Sequence, residues 1–328
     1  MTLRKLALST LLLIGIAAAT VQAVAYLRKS KVEASHPPTG QMITVDGRAM
    51  HVDIQGPEEG RAVVLIHGAS GSTRDMTFTL APRLAANGFR VYTVDRPGMG
   101  YSDTTQAAHG RAFTSKHASP KEQATFLKDR LDTLGVTDPI LVGHSFGGAV
   151  ALGWGLAHPD YASALVLLGS PSNPWTGGLG TLYDINSSVL GGGLVVPVLS
   201  AFAPEKVIND TIDVIFEPNQ TPDGYTDYIG GRLTTRKDTM RVNARQVNGL
   251  LPHVKAMVPE YPSITQPVEI VHGLADTIVP YEIHSRLLVD QIPNANLVTP
   301  EDAGHMPQHS HQDVVVEAIM RAANRSAP

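Results

Sequence analysis

Short runs of apolar residues, separated by longer stretches with helical patterning, constrain the fold of this chain most strongly. Four of them are continuous: 63–66, 91–94, 140–142 and 164–168. Such runs are typical of strands buried on both faces, so they predict a mainly parallel sheet with helices on each side, an α/β architecture. Segments 42–45 and 49–54 alternate instead and predict an antiparallel edge, and two further strands are expected at 267–272 and 296–298, which makes eight.

A long segment interrupts this rhythm after the strand that ends at Leu168. Residues 172–266 are rich in glycine, proline and aromatic residues, and a segment of that length is better explained as a small helical subdomain than as a loop. The core is then expected to comprise residues 41–171 and 267–328. The aromatic residues of the insertion indicate either an apolar substrate pocket or the insertion's own core.

The N-terminus has the composition of a membrane segment. Residues 6–27 carry no charge, Arg4 and Lys5 precede them, and three basic residues follow within residues 28–31. As a helix these 22 residues would span about 33 Å, enough for a bilayer core. Residues 1–31 therefore predict a membrane anchor. The alternative is an exported protein with a cleaved signal peptide, since residues 17–19 and 23–25 both have the small-x-small form. Residues 32–40 are expected to be a linker, and the side of the membrane stays open.

Charge and cysteine content exclude several classes of function. Lysine and arginine number 26 against 30 acidic residues, a net charge of −4; because residues 1–31 hold five basic and no acidic side chains, the remainder carries −9. A body of that sign is not expected to bind nucleic acid. The absence of cysteine excludes disulfides, thiolate metal sites and cysteine nucleophiles. The oligomeric state stays open.

The segment Gly143-His144-Ser145-Phe146-Gly147 has the G-x-S-x-G pattern between a predicted strand and a predicted helix. In that context the serine sits at the tip of a sharp turn, and side chains at positions 143 and 147 would collide with the neighbouring strand and helix. Ser145 is therefore the predicted nucleophile.

A serine nucleophile needs a base, and the base needs an acid that orients it. His305 lies in a loop directly after the last predicted strand, and Asp276 follows the preceding strand, so both are expected at the carboxyl edge of the sheet near Ser145. Asp302 is closer to His305 in sequence but is expected to form a turn. His309 and His311 could suggest a metal site, but they are expected to begin a solvated helix.

Two backbone amides are expected to stabilise a developing oxyanion. One belongs to Phe146, directly after the nucleophile, and the other to Ala69 in the loop that follows the strand at 63–66. No cofactor is predicted: the segment Gly98-Met99-Gly100 has Asp103 where a dinucleotide fingerprint needs its third glycine, and no phosphate-binding loop pattern occurs.

Together these residues resemble the α/β-hydrolase family over about residues 41–324. Ser145, Asp276 and His305 stand in that family's chain order, the turn at His67-Gly68 is similar to its oxyanion loop, and residues 95–102 resemble the segment after its fourth strand. The resemblance implies a hydrolase with a catalytic triad and a helical cap inserted at 172–266.

The expected function is a serine hydrolase that acts through an acyl-enzyme, most simply on a small, apolar carboxylic ester. Cleavage of a carbon–carbon or amide bond, cofactor-free haloperoxidase activity and a non-catalytic ligand-binding protein are the alternatives. A stripe of basic residues in the insertion predicts either a solvated helix face or a site for a substrate carboxylate or anionic lipid headgroups. Its members are Arg232, Arg236, Lys237, Arg241 and Arg245.

Overall fold

The computed structural model describes residues 3–327, which contain one eight-stranded sheet. Its strands are β1 (Gln41–Val45), β2 (Arg48–Gln55), β3 (Ala62–Ile66), β4 (Arg90–Val94), β5 (Ile140–His144), β6 (Ala164–Leu168), β7 (Val268–Val271) and β8 (Ala295–Val298). Their order across the sheet is β1-β2-β4-β3-β5-β6-β7-β8. β1 and β2 are antiparallel to their neighbours, and the six strands β3 to β8 are parallel, which confirms the predicted α/β fold with its antiparallel edge.

Helices flank the sheet and fill the insertion. They are α1 (Leu3–Ser35), α2 (Thr73–Thr77), α3 (Leu80–Ala86), α4 (Pro120–Asp132), α5 (Phe146–Ala157), α6 (Thr181–Ser187), α7 (Val196–Phe202), α8 (Glu205–Phe216), α9 (Tyr225–Ile229), α10 (Lys237–Asn248), α11 (Leu250–Met257), α12 (Ser285–Gln291), α13 (Pro307–Ser310) and α14 (Gln312–Arg325). A π turn, Gly191–Val195, leads into α7, and three short 3₁₀ helices complete the set: Ala107–Gly110, Gly231–Leu233 and Val258–Ser263.

The sheet has an apolar core on each face because alternate residues of a strand point to opposite sides. Val63 and Leu65 of β3 pack with α3 and α14, whereas Val64 and Ile66 pack with α4 and α5. Because helices cover both faces of the sheet, a functional site is expected in the loops at the carboxyl ends of the strands.

Residues 172–266, which we call the cap segment, connect β6 to β7. They contain α6 to α11 and short helical turns, and no strand. Helix α10 packs against α6 and α7 and borders the loops that follow β3 and β4.

Helix α1 is 33 residues long and apolar enough to cross a membrane. Residues 3–20 are exposed, but from Val21 onward the helix lies against the cap segment, with Ala25 and Val32 buried. The helix also continues through residues 32–35, which were expected to be linker, and the chain leaves it only at His36. The reason is tertiary contact: Glu33 forms an ion pair with Arg236 of the cap segment over 2.8 Å.

Candidate active site

Ser145 lies at a sharp turn between the end of β5 and the start of α5. Its backbone has φ 50° and ψ −122°, a left-handed conformation that costs about 1–3 kcal/mol in a residue other than glycine. The turn also needs its flanking glycines. A Cβ atom on Gly143 would lie 2.4 Å from the Gly147 carbonyl oxygen, and one on Gly147 would lie 2.2 Å from the Ile66 carbonyl oxygen.

Three side chains from loops after β5, β7 and β8 meet at this turn. His305 Nε2 lies 3.0 Å from Ser145 Oγ, and His305 Nδ1 lies 2.8 Å from Asp276 Oδ2. All three residues are at least nine-tenths buried. The structure thus brings together the predicted nucleophile, base and acid in an arrangement that can move a proton from the hydroxyl to the imidazole.

Asp276 is held ionised by its surroundings. Burial on its own would raise its pKa, but hydrogen bonds from His272, His305 and the Val279 amide outweigh burial and keep the pKa well below its ordinary value. Oδ1 accepts from the amides of Ile278 and Val279, each over 2.9 Å. A carboxylate fixed in this way selects the tautomer of His305 that carries its proton on Nδ1.

Asp302 lies elsewhere, although it is only three residues from His305. Its exposed carboxylate accepts from His311 Nε2 over 3.0 Å at the surface of the same loop. The structure therefore places Asp276, and not Asp302, on the imidazole.

The loop after β3 comes close to Ser145. A Cβ atom on Gly68 would lie 3.1 Å from the Ser145 Cβ atom. The Gly68 carbonyl oxygen accepts from His67 Nδ1 over 2.8 Å and from Arg96 Nη2 over 3.0 Å. Because that carbonyl and the Ala69 amide belong to the same trans peptide unit, both bonds fix the direction of the Ala69 N–H.

Arg96, within the segment 95–102, is fully buried, and the sequence pattern assigned it no role. It donates to the His67 carbonyl oxygen as well as to that of Gly68, and its guanidinium lies 4.3 Å from the centre of the Phe146 ring. Burial lowers its pKa to about 9, which leaves it charged at neutral pH. One cation thus contacts both segments that carry the predicted oxyanion donors. The sequence signal that could have identified Arg96 is its position directly after β4, at the carboxyl edge of the sheet.

Helix α10 of the cap segment forms hydrogen bonds with Ser70, the residue after Ala69 in the loop that follows β3. Asn243 Oδ1 accepts from the Ser70 amide over 2.8 Å, and its Nδ2 donates to Ser70 Oγ over 2.9 Å. Ser70 has φ 56°, so these bonds stabilise a strained conformation next to Ala69. Burial raises the pKa of Tyr183 on α6, and Asn243 and Ser70 partly offset that effect.

A second buried carboxylate lies behind the triad. Asp75 accepts from His309 Nε2 and from the Tyr225 hydroxyl, each over 2.8 Å. Burial alone would raise the pKa of Asp75, but the hydrogen bonds from His309 and Tyr225 hold it well below its usual range. The expectation that His309 begins a solvated helix was wrong: its side chain is fully buried because Asp75 supplies the partner that an interior imidazole needs.

His144, the residue before the nucleophile, forms a hydrogen bond with the backbone of His305. Its Nε2 donates to the His305 carbonyl oxygen over 2.8 Å, which places the remaining proton-free nitrogen, Nδ1, 4.0 Å from Asp75 Oδ2. Burial and the neighbouring His305 lower the pKa of His144 to about 4, so it is neutral at pH 7.

The basic stripe of the cap segment is not a solvated face. Arg236, Arg241 and Arg245 are buried and donate to backbone carbonyls; Arg245 alone bonds those of His109, Arg111 and Ala112. Lys237 reaches Gln22 of α1, and Arg232 lies near Glu205 and the Ala203 carbonyl. Each of the five basic side chains thus contacts another part of the chain, because loops and α1 pack over this region of the cap segment.

The eight-stranded sheet with a serine at a strand-to-helix turn defines an α/β-hydrolase fold. The sequence profile described as "Alpha/beta hydrolase family" matches residues 63–318. The chain belongs to this family, as the resemblance predicted, and is a hydrolase by class.

Curated relatives cover almost the same length. The chain is 25% identical to the 2-hydroxy-6-oxononadienedioate/2-hydroxy-6-oxononatrienedioate hydrolase of Klebsiella pneumoniae, over 88% of this chain and 96% of the relative. It is 26% identical to the 2-hydroxymuconate semialdehyde hydrolase of Pseudomonas putida, over 84% of this chain and 91% of the relative.

Solved structures agree on the fold. An esterase from Exiguobacterium antarcticum superposes with a TM-score of 0.66 at 20% identity, over 87% of this chain and 100% of its own. The enol-lactonase from Burkholderia xenovorans LB400 gives 0.66 at 17% identity, over 87% of this chain and 100% of its own.

Proposed function

We propose that this chain is a serine hydrolase in which Ser145 is the nucleophile, His305 the general base and acid, and Asp276 the group that orients His305. The observation that carries the proposal is the continuous hydrogen-bonded path from Ser145 Oγ through both nitrogens of His305 to Asp276, with distances of 3.0 and 2.8 Å. Such a path activates a hydroxyl that is otherwise a poor nucleophile at neutral pH.

The reaction would proceed in two halves. Ser145 Oγ attacks the substrate carbonyl carbon while His305 Nε2 takes its proton, and the amides of Ala69 and Phe146 bind the oxyanion. His305 then gives the proton to the leaving group, and an acyl-enzyme remains on Ser145. Water attacks this ester, His305 takes a proton from that water, and the proton returns to Ser145 Oγ as the acid product leaves. Residues 172–266 would cover this site as a cap on the core formed by residues 41–171 and 267–328.

The substrate that we propose is an uncharged, apolar carboxylic ester. A substrate carboxylate would need a free cation near Ser145, yet Arg241 and Arg245 of α10 already donate to backbone carbonyls. Arg96 likewise uses its donors on His67, Gly68 and two glutamine side chains.

Carbon–carbon bond cleavage is the second candidate, and the curated relatives favour it. Two of them are named for dienoate or dienedioate substrates, which carry a carboxylate, and they align over most of this chain. The same triad would serve, with an enolate carbon as the leaving group that receives the proton from His305.

We further propose that α1 is retained as a membrane anchor. Cleavage after Ala19 or Ala25 would remove residues that the body uses, since Ala25 is buried and Gln22 bonds Lys237. The docked part of α1 therefore supports an uncleaved helix.

A fluorophosphonate probe tests the central proposal on the full chain in detergent. We expect covalent labelling that is lost in Ser145→Ala and kept in Ser263→Ala, a serine remote from the site whose hydroxyl bonds only within its own turn. A folded protein that is not labelled would contradict the proposal. Rates on an aryl ester and on a vinylogous diketone acid, measured side by side, then separate the two candidate substrates.

A further inference from the structure

The cap segment contains a stretch that is both uncharged and exposed. No charged residue occurs between Asp184 and Glu205. Leu190, Leu194 and Phe202 within it are 68%, 61% and 50% exposed. The surface that they help to form is called the cap surface; its members are Leu182, Ile185, Val189, Leu190, Leu194, Val195, Val198 and Phe202. Clustered apolar side chains of this number mark an interaction site.

The cap surface adjoins the point where α1 leaves the body. Helix α7 packs along α1, and Arg28 Nη1 donates to the Ala203 carbonyl oxygen at the end of α7 over 2.9 Å. Residues 3–20 of α1 then project free of the rest of the chain for about 27 Å, close to the thickness of a bilayer core. If this free part lies in a bilayer, α7 stands at the level of the membrane surface.

We infer that the cap surface is immersed in the lipid interface beside α1, so that the chain contacts the bilayer through two elements rather than one. The occupant of this surface is the acyl region of lipids, because the surface is continuous with an apolar helix that a bilayer would also cover. Lys29 and Lys31, one to two turns beyond the buried Ala25, would then lie among the headgroups. This inference rests on the proposed membrane anchor.

The same arrangement specifies the class of substrate. Helix α6 carries Leu182 and Ile185 of the cap surface and packs against α10, whose Asn243 bonds the Ser70 amide next to Ala69. Two packed helices thus connect the lipid-contacting surface to the predicted oxyanion loop. The substrate that we infer is a lipid-soluble ester that reaches Ser145 from the bilayer, which deepens the proposed hydrolase function.

Spin labels test the placement directly, because the chain has no cysteine and single-cysteine variants need no other change. The full chain would be reconstituted in phosphatidylcholine vesicles with a nitroxide at Leu190→Cys, at Ile14→Cys on α1, and at Met320→Cys, an exposed apolar position on α14 away from the cap. Collision with dissolved oxygen reports lipid, and collision with a water-soluble nickel chelate reports water. We expect the labels at 190 and 14 to lose nickel collision, whereas the label at 320 keeps it.

Each other outcome identifies what is wrong. A label at 190 as accessible to nickel as that at 320, with 14 in lipid, overturns the cap surface and leaves the anchor. A label at 14 in contact with water overturns the anchor and the inference together. Dipolar broadening between labels at 190 shows that a second copy covers the surface instead of lipid, which also overturns it.

Turnover tests the substrate class separately. Leu190→Glu combined with Leu194→Glu should lower the rate on a long-chain ester embedded in vesicles by about tenfold, because charge is excluded from the apolar layer. The rate on a short, water-soluble ester should not change, and Met320→Glu should change neither. Equal loss on both esters, or loss on neither, overturns the delivery route. No turnover of the soluble ester by the unmodified chain contradicts the proposed function itself.

Discussion

Arg96 Nη2 donates to the Gly68 carbonyl oxygen over 3.0 Å, and that carbonyl shares its peptide unit with the Ala69 amide. A cation on the oxygen side of a peptide polarises the N–H on the other side and fixes its direction. Arg96 also lies against the ring of Phe146, which carries the second predicted donor. It is therefore a positioning residue for both halves of the predicted oxyanion hole.

Arg96→Met should lower kcat by about 10²-fold, the loss that follows removal of one oxyanion donor, with a smaller effect on KM because the interaction strengthens in the transition state. Steady-state kinetics on a soluble aryl ester measure both quantities. Arg96→Lys keeps the charge but not the fork of donors, so it should recover only part of the rate.

The chain offers a matched control for this variant. Arg130 is also buried, lies 3.5 Å from the centre of the Phe126 ring and donates to the backbone carbonyls of Val45, Arg48 and Phe126, away from the site. Arg130→Met should destabilise the fold and leave kcat unchanged. If a folded Arg96→Met enzyme turns over at the normal rate, Arg96 only supports the loop structurally.

Asp276→Asn should reduce kcat by about 10⁴-fold without unfolding the protein, because an amide in that place no longer selects the tautomer of His305 needed for proton transfer. Thermal unfolding checks the fold, and single-turnover kinetics check the rate. Asp302→Asn is the control: its carboxylate is exposed and bonds His311, so activity should stay near normal. A strong effect at 302 and a weak one at 276 would mean that the acid is misassigned.

Much of the fold and of the site could be predicted because its signals are local. A run such as Ala164–Leu168 marks a buried strand without reference to other segments, and the pattern around Ser145 demands its own turn. Parallel strands then bring the loops that follow them to one edge, which places Asp276 and His305 near that turn without further information.

The residues that escaped prediction depend on contacts between distant segments. Asn243 meets Ser70 across 173 positions, and His309 meets Asp75 across 234. The partners of the basic residues on α10 could not be predicted for the same reason. Spacing shows that Arg241 and Arg245 share a face, but not that the π turn and residues 109–112 pack over that face and accept their hydrogen bonds.

Asn243→Ala should lower kcat/KM on a soluble ester by about tenfold, since two hydrogen bonds to Ser70 are lost and the loop that carries Ala69 is freed. Asn248→Ala on the same helix removes an exposed hydrogen bond to Ser187 and is the control. Asn243→Ala kinetics that match those of Asn248→Ala would show that α10 does not position the oxyanion loop.

The stability of the fold should decrease steeply as the pH falls from about 6.5 to about 4. Burial lowers the pKa of His67, His144 and His284 to about 4, below the value of 6.5 for an unfolded histidine. Between these values the unfolded chain binds protons that the folded chain excludes, so the free energy of unfolding falls with pH, by about 1.4 kcal/mol per unit for each histidine. Above about pH 7.5 all three are neutral in both states and contribute almost no slope.

His284→Gln isolates one of these groups away from the triad. His284 Nδ1 accepts from the amides of Ser172 and Asn173, and the glutamine amide oxygen can take that acceptor role. Denaturant titrations at pH 7.5 and 5 should show a smaller loss of stability for the variant than for the unmodified chain, by about 2 kcal/mol over that interval. Equal losses would mean that His284 takes up its proton in the folded state. Because the carboxylates Asp75, Asp95 and Asp276 have lowered pKa values, their share of the loss begins as the pH falls below about 5 and is steepest below 3.8, so it follows the histidine stage along the pH axis.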